Sequence, residues 1–355
     1  MDLRLLRRGI SLLALLFLLF ALPRAEAEGI ARPELEAVTP PIHVKFYYDK
    51  LTTVDGKRGV EHAIATLGHF DLVIVREPGE TDAEEEKVTT ALLKQGVELF
   101  GYVDLLEVTI PEKVVGMRAK IVRIAQAGYT GVFLDDAGYD FKVPRRAFNE
   151  TVAFAHGLGL KVMINAWHPT DVLEDKVDLL MNPLGIPTAL GEGDWVLLES
   201  FYHRSDDLYA GDPEGGFRHI MEKYAKVAAL ARQRGVKVAT LTYHPRTRSL
   251  VDQSDRVNSL LLAIMLGLDG WAYGRSDNND RVPWRTMPQL SVGQFYYSPL
   301  MKIGPEGERW IRITDRAVIW FEAVDQPVQR RAGIIPLGIQ LRPEHSGLFA
   351  LGWER

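Results

Sequence analysis

Two acidic positions stand out because of what precedes them. The run Gly131-Val132-Phe133-Leu134 is apolar and ends in Asp135-Asp136, and Trp195-Val196-Leu197-Leu198 ends in Glu199. A carboxylate at the tip of a buried segment is costly unless it faces a cavity or finds partners. Two such groups meeting at one cavity have the equipment to cleave a glycosidic bond. One holds a proton for the leaving oxygen, while the other stays ionised to attack or to activate water beside an oxocarbenium-like centre. Mutual repulsion and unequal burial hold the two pKa values apart.

Similar runs end in Asp49, Glu77, Asp104, Asn165, Tyr243 and Tyr273. A single strand-end acid also serves to cap the next helix or to pair with an arginine, and that is the plain alternative for Asp49, Glu77 and Asp104. Asp135 and Asp136 differ, because adjacent strand residues face opposite ways and at least one of them should point toward the interior that the apolar run lines. Aromatic residues surround these positions: Tyr47, Tyr48, Tyr102, Tyr139, Trp167, Phe201, Tyr202, Tyr243, Trp271 and Tyr273. Rings at a rim stack on the apolar faces of sugars, although any one of them also serves as core filling.

The elements that must position these residues recur regularly. Apolar, β-type runs begin at 43, 71, 98, 131, 161, 194, 237 and 269, and most lack polar alternation, as strands covered on both faces do. Between them lie segments with helical spacing that close on glycine, such as "VVGMRAKIVRIAQAG". The alternation predicts a (β/α)8 TIM barrel, whose catalytic groups sit at the C-terminal strand ends. An open doubly wound sheet would carry a glycine-rich phosphate turn after its first strand, and "YYDKLTTVDGKRG" has none. No sequence repeat is evident beyond the βα alternation. Past residue 274 the pattern becomes a polar, proline-punctuated loop and then short strand-like runs. Part of this region is expected to supply the last barrel helix, and the rest a small C-terminal β-rich extension. The expected division is a signal peptide over 1–27, a linker over 28–42, a catalytic barrel over 43–290 and an extension over 291–355 packed on the barrel.

Arg4, Arg7 and Arg8 precede "ISLLALLFLLFAL", and Ala25-Glu26-Ala27 follows, which is the layout of a cleavable export signal. A secreted or periplasmic location is expected. The alternative is an uncleaved anchor, for which the run falls short of the ~20 apolar residues of a comfortable span; membrane contact is expected only through this segment. The chain has no cysteine, so thiol chemistry is excluded and stability must come from packing. A net charge of -5 offers no global attraction to nucleic acid.

The motifs "AGYTGVFLDDAGYD", "KVMINA" and "DWVLLESFY" resemble glycoside hydrolase family 114 and its relatives over 43–274. That group holds endo-α-1,4-polygalactosaminidases, Pel hydrolase regions and spherulin-4-like enzymes. The resemblance implies a barrel hydrolase that cleaves internal α-1,4 linkages of a galactosamine- or N-acetylgalactosamine-containing exopolysaccharide with retention. It places the catalytic pair at Asp135 and Glu199, and the division of roles expected here is Asp135 as nucleophile and Glu199 as acid/base. Asp136, Asp104, Asp49 and Asn165 are then expected to contact substrate, with Tyr48, Trp167, Tyr202 and Tyr243 as stacking surfaces. An anionic cup favours a cationic, partly deacetylated amino-sugar polymer. Where relatives commonly read Gly-Phe-Asp-Gly, this chain has Gly128-Tyr129-Thr130-Gly131, and Ala137-Gly138 replaces an acid often found after the motif. These departures bear on the substrate more than on the reaction class.

No cofactor and no metal are expected. A metal-dependent hydrolase would use His168, His203 and His244 after the fifth to seventh strands, but the first strand lacks a His-x-His pair at its C-terminal end, and His43 sits at the other end. "SDNND" lacks the spacing of a calcium loop. The non-enzymatic alternative is a barrel that binds polysaccharide without cutting it.

Overall fold

The computed structural model describes residues 35–48, 50–78, 82–202, 217–244, 254–275, 284–303, 309–325, 328–338 and 341. The first strand, β1 (Ile42–Tyr47), is followed by a short hairpin, β2 (Thr53–Val54) and β3 (Lys57–Arg58). The alternating chain then runs α1 (Val60–Leu67), β4 (Leu72–Val75), α2 (Ala83–Lys94), β5 (Glu98–Asp104), α3 (Pro111–Gln126), β6 (Gly131–Asp135), α4 (Arg145–Gly157) and β7 (Lys161–Asn165). It continues through α5 (Thr170–Leu173), β8 (Trp195–Leu198), α6 (Phe217–Gln233), β9 (Lys237–His244), α7 (Ser254–Leu266) and β10 (Gly270–Arg275). Eight parallel strands close into a barrel in the ring order β1-β10-β9-β8-β7-β6-β5-β4. This is the expected (β/α)8 architecture.

The strands lack polar alternation because both of their faces are covered. Inward positions such as Val44, Phe46, Ile74, Phe100, Phe133, Met163 and Leu241 fill the barrel. The intervening positions, among them Val73, Leu99, Val132, Leu134, Val162 and Val196, pack against Leu92, Met117, Ile121, Phe148 and Leu260 of the helices.

At the base of the barrel, the residue just before every second strand ties three strands together. Asp71 accepts from the His43 N–H at 2.7 Å, Thr130 from Leu99 at 3.3 Å, Asp194 from Val162 at 2.9 Å and Asp269 from Val238 at 2.8 Å. The carbonyls of the same four residues accept from Glu98, Lys161, Lys237 and Ile42 on the following strand. Each short side chain thus supplies an acceptor to a strand-end N–H that would otherwise be buried without one. The structure therefore repeats a two-strand unit four times, a period that the sequence does not display as similarity.

After β10, no helix occurs among the described residues, contrary to the expectation of a last barrel helix there. The strands β11 (Met301–Ile303), β12 (Arg309–Ile313), β13 (Ala317–Asp325) and β14 (Val328–Pro336) instead form an antiparallel sheet. One face joins the outer core through Trp310, Ile319 and Phe321, and Arg312 donates to the Met265 carbonyl at the end of α7 at 3.1 Å. β12 and β13 carry apolar residues on both faces, as a strand packed on two sides does, and successive residues point to opposite faces. The other face holds a smaller cluster of Tyr297, Ile311, Ile313, Val318 and Leu341.

Candidate active site

The inward alternation of the barrel continues to its C-terminal mouth and decides which side chains meet there. Tyr48 lies two residues beyond Phe46, Tyr102 beyond Phe100, Asp135 beyond Phe133, Asn165 beyond Met163, Glu199 beyond Leu197 and Tyr243 beyond Leu241, each from an inward residue. With a period of two, all six face inward. Of the paired aspartates, Asp135 is the one inside. Asp136 and Ser200, which follow the two acids, both take left-handed backbone with φ 54°. Non-glycine residues held there carry strain of roughly 1–3 kcal/mol, and the extended chain ends at these points directly beside each carboxylate.

Five adjacent strands contribute one polar group each to a continuous hydrogen-bonded arc. The Tyr243 hydroxyl of β9 donates to Glu199 Oε1 at 2.6 Å, and Asn165 Nδ2 of β7 donates both to Glu199 Oε2 and to Asp135 Oδ1 at 2.8 Å. Tyr102 of β5 donates to Asp135 as well. Because one nitrogen serves both acids, the bridged oxygens lie no further apart than twice that 2.8 Å distance. That upper limit is close to the roughly 5–5.5 Å of a double-displacement pair and below the roughly 6.5 Å at which room for an intervening water begins.

Burial pushes the Asp135 carboxyl above the usual carboxylate range; hydrogen bonds from Asn165, the Asp136 N–H and Tyr102 oppose the shift, and the charge of Glu199 adds to it. Asp136 is pushed up to about 6, first by burial and then by Asp135, Asp104, Glu199 and Asp140. Burial and the nearby carboxylates also raise the phenols of Tyr48, Tyr102 and Tyr243, so all three remain protonated donors at neutral pH.

Asp135, Glu199, Asn165 and Tyr243 come together as the sequence suggests. Asp136 is half-buried at the mouth, outside the inward alternation. Asp104 takes the plainer role, accepting from the Leu106 N–H at 2.9 Å to cap the turn Leu105–Thr109, although its charge is still felt at Asp136 and Tyr102. Glu77 pairs with Arg123 at 3.3 Å. Trp167 is 54% exposed in the loop after β7.

One stacking assignment is corrected. Tyr202 is fully buried, with its ring edge-on to Phe321 of the C-terminal sheet at 6.4 Å and its hydroxyl accepting from Asn258 at 3.3 Å. The change of direction at Ser200 carries Phe201 and Tyr202 into the outer core instead of the mouth. Tyr48 faces inward, its ring in a T-shaped pair with Tyr102 at 5.4 Å and tilted against Phe133 at 6.2 Å. Asp49, His203 and the side chain of His244 lie outside the described residues. Among the described residues, no group of three His, Asp or Glu side chains could hold a metal ion. The residue that sequence reasoning missed as a carboxylate partner is Tyr102, and its inward parity with Asp135 was the available signal.

No protein-family model and no curated protein matches the chain. Among solved structures, an endo-beta-1,4-mannanase double mutant from Cellulomonas fimi is similar with a TM-score of 0.43 and 10% identity, over 67% of this chain and 66% of that one. An HpcH/HpaI aldolase from Desulfitobacterium hafniense gives a TM-score of 0.37 and 13% identity, over 66% and 86%. A D-psicose 3-epimerase structure determined with D-fructose gives 0.40 and 11%, over 66% and 84%. Likeness at this level carries no argument about reaction or substrate. The barrel rests on its own closed ladder of strands, and the chemistry on the residues at its mouth.

Proposed function

We propose that this protein is an exported glycoside hydrolase that cuts internal α-1,4 linkages of a galactosamine- or N-acetylgalactosamine-containing exopolysaccharide with retention, akin to family 114. The observation that carries the reading is the shared Asn165 amide, which draws Asp135 and Glu199 to within one glycosidic bond of each other.

Asp135 is the nucleophile. Three donors, from Asn165, Tyr102 and the Asp136 N–H, favour its ionised form. Glu199 is exposed, so it can exchange protons with water. It protonates the glycosidic oxygen as an Asp135 oxygen attacks the anomeric carbon; the bond to the leaving oxygen breaks and a glycosyl ester forms. Glu199 then takes a proton from water, whose oxygen attacks the same carbon and releases Asp135. Retention follows from the two inversions. Tyr243 holds the acid/base in place through Oε1. The acidic mouth, with Asp136 and Asp104 beside the pair, favours a cationic, partly deacetylated polymer, and Trp167 offers a stacking surface at the rim. Export, to the periplasm or the exterior, rests on the basic-apolar N-terminal segment.

The deciding assay is incubation with partly deacetylated α-1,4-galactosamine polymer, scored for new reducing ends. Cleavage that is lost in both Asp135→Asn and Glu199→Gln supports the reading. Inactivity of the native chain across a broad panel of α- and β-glycans overturns it and leaves a polysaccharide-binding barrel.

A further inference from the structure

Around the eight-stranded ring, β1 stands four places from β7, so Tyr48 just beyond β1 faces Asn165 across the mouth. Its ring is fixed on several sides by Phe46, Tyr102 and Phe133, with centroids 5.4 to 6.2 Å away. A phenol held this way has one adjustable part, its hydroxyl. The other two mouth tyrosines have committed theirs, Tyr243 to Glu199 and Tyr102 to Asp135. No described carboxylate accepts a hydrogen bond from Tyr48, although the charges of Asp135 and Glu199 both act on its phenol. Burial and those charges keep it protonated, hence a donor across the whole working pH range.

We propose that Tyr48 is a substrate-contacting residue whose hydroxyl, opposite the Asp135–Asn165–Glu199 arc, donates a hydrogen bond to an oxygen of the sugar bound between them. This inference rests on the glycosidase reading for the identity of the ligand, but it assigns Tyr48 a role distinct from stacking and from tuning the carboxylates. A donor fixed opposite the attacking group sets the depth and rotation of the ring. It therefore discriminates among sugars that differ at the hydroxyl it meets.

The test is Tyr48→Phe, which keeps the ring and its packing and removes only the oxygen, compared with Tyr102→Phe and Tyr243→Phe. Two readouts are needed: the pH profile of kcat/KM on the galactosamine polymer, and calorimetric binding of a partly deacetylated galactosamine hexamer in the Asp135→Asn background. Loss of one neutral hydrogen bond corresponds to about a tenfold loss in kcat/KM and in affinity. The acid limb of the profile should stay where it is in Tyr48→Phe and should move in Tyr102→Phe. Unchanged hexamer affinity on adding Tyr48→Phe overturns the proposal. So does a displaced acid limb, since Tyr48 would then act through the carboxylates. If the native chain binds the hexamer without cutting it, the glycosidase reading fails while the binding arm still decides the contact; if neither the native chain nor Asp135→Asn binds any glycan, both ideas fall.

Discussion

Replacing Asn165 with alanine tests the bridge on which the proposed catalytic geometry depends. The substitution removes the nitrogen that donates to both acids at 2.8 Å. A hydrogen bond to a charged group contributes about 1.5 kcal/mol or more, the free energy of roughly one unit in the titration of the group that accepts it. The amide also offsets repulsion between the two charges, worth about 3 kcal/mol at ~5 Å separation and an effective dielectric of ~20. The Asp135 pKa is already raised by burial, and in the proposed mechanism its ionised form is the one that attacks. Activity is therefore lost as pH falls through that pKa. Removing a donor that favours the ionised form raises the pKa further, so the acid limb of kcat/KM should move up by about one pH unit in Asn165→Ala. Carboxyl titration followed by 13C NMR on selectively labelled protein reports the same shift without any substrate. An acid limb that stays fixed or moves down, with an unchanged carboxyl titration, would refute the claim that Asn165 holds the pair in its working charge state.

Three further outcomes follow from other parts of the molecule. Asp194 is 2% exposed and accepts from the Val162 and Gly191 N–H groups at 2.9 Å and from His156 at 3.0 Å. Asp194→Ala leaves these donors without their acceptor and should cost about 3 kcal/mol in urea unfolding, against about 1 kcal/mol for Thr130→Val, which strands a single N–H; equal losses would contradict the staple. The Asp136 pKa of about 6 lies above its ordinary value of 3.8, so native protein binds the extra proton and its contribution to stability, present below pH 4, is lost as pH rises through 6. Asp136→Asn, which also suits the left-handed backbone, should therefore raise the unfolding free energy more at pH 7 than at pH 4, by no more than about 1 kcal/mol after solvent screening. Trp167→Ala should raise KM on polymer without changing Tm, whereas Tyr202→Ala should cost about 3–5 kcal/mol of stability; the reverse pattern would return Tyr202 to the mouth.

The positions of the acids were legible because an apolar run that ends in a carboxylate has few structural uses, and because strand parity carries straight from Phe133 to Asp135 and from Leu197 to Glu199. Tyr202 was misplaced for a local reason. Ser200 takes the left-handed conformation that sequence normally signals with glycine or asparagine, so nothing in "LLESFY" announces that the chain turns away. The ring contacts of Tyr48 were hidden for a different reason, since Tyr102 and Phe133 reach it only after the barrel closes. Parity shows that a residue is inside, but not which neighbours from other strands meet it there.

The base of the barrel and its mouth are joined through the same strands. Thr130 precedes β6 and Asp194 precedes β8, and these two strands lead directly into Asp135 and Glu199 on either side of Asn165. The strands are only five and four residues long, so few ladder bonds hold their register. A slip of one residue would turn every side chain to the opposite face, taking Asp135 out of the cavity and putting Asp136 in its place. The side-chain acceptors at the base fix where each strand begins, and over so short a run they also fix which residue arrives at the axis. A short acceptor before alternate strands is thus a stabilising feature at one end of the barrel and, at the other, the reason that one of two adjacent aspartates faces Glu199.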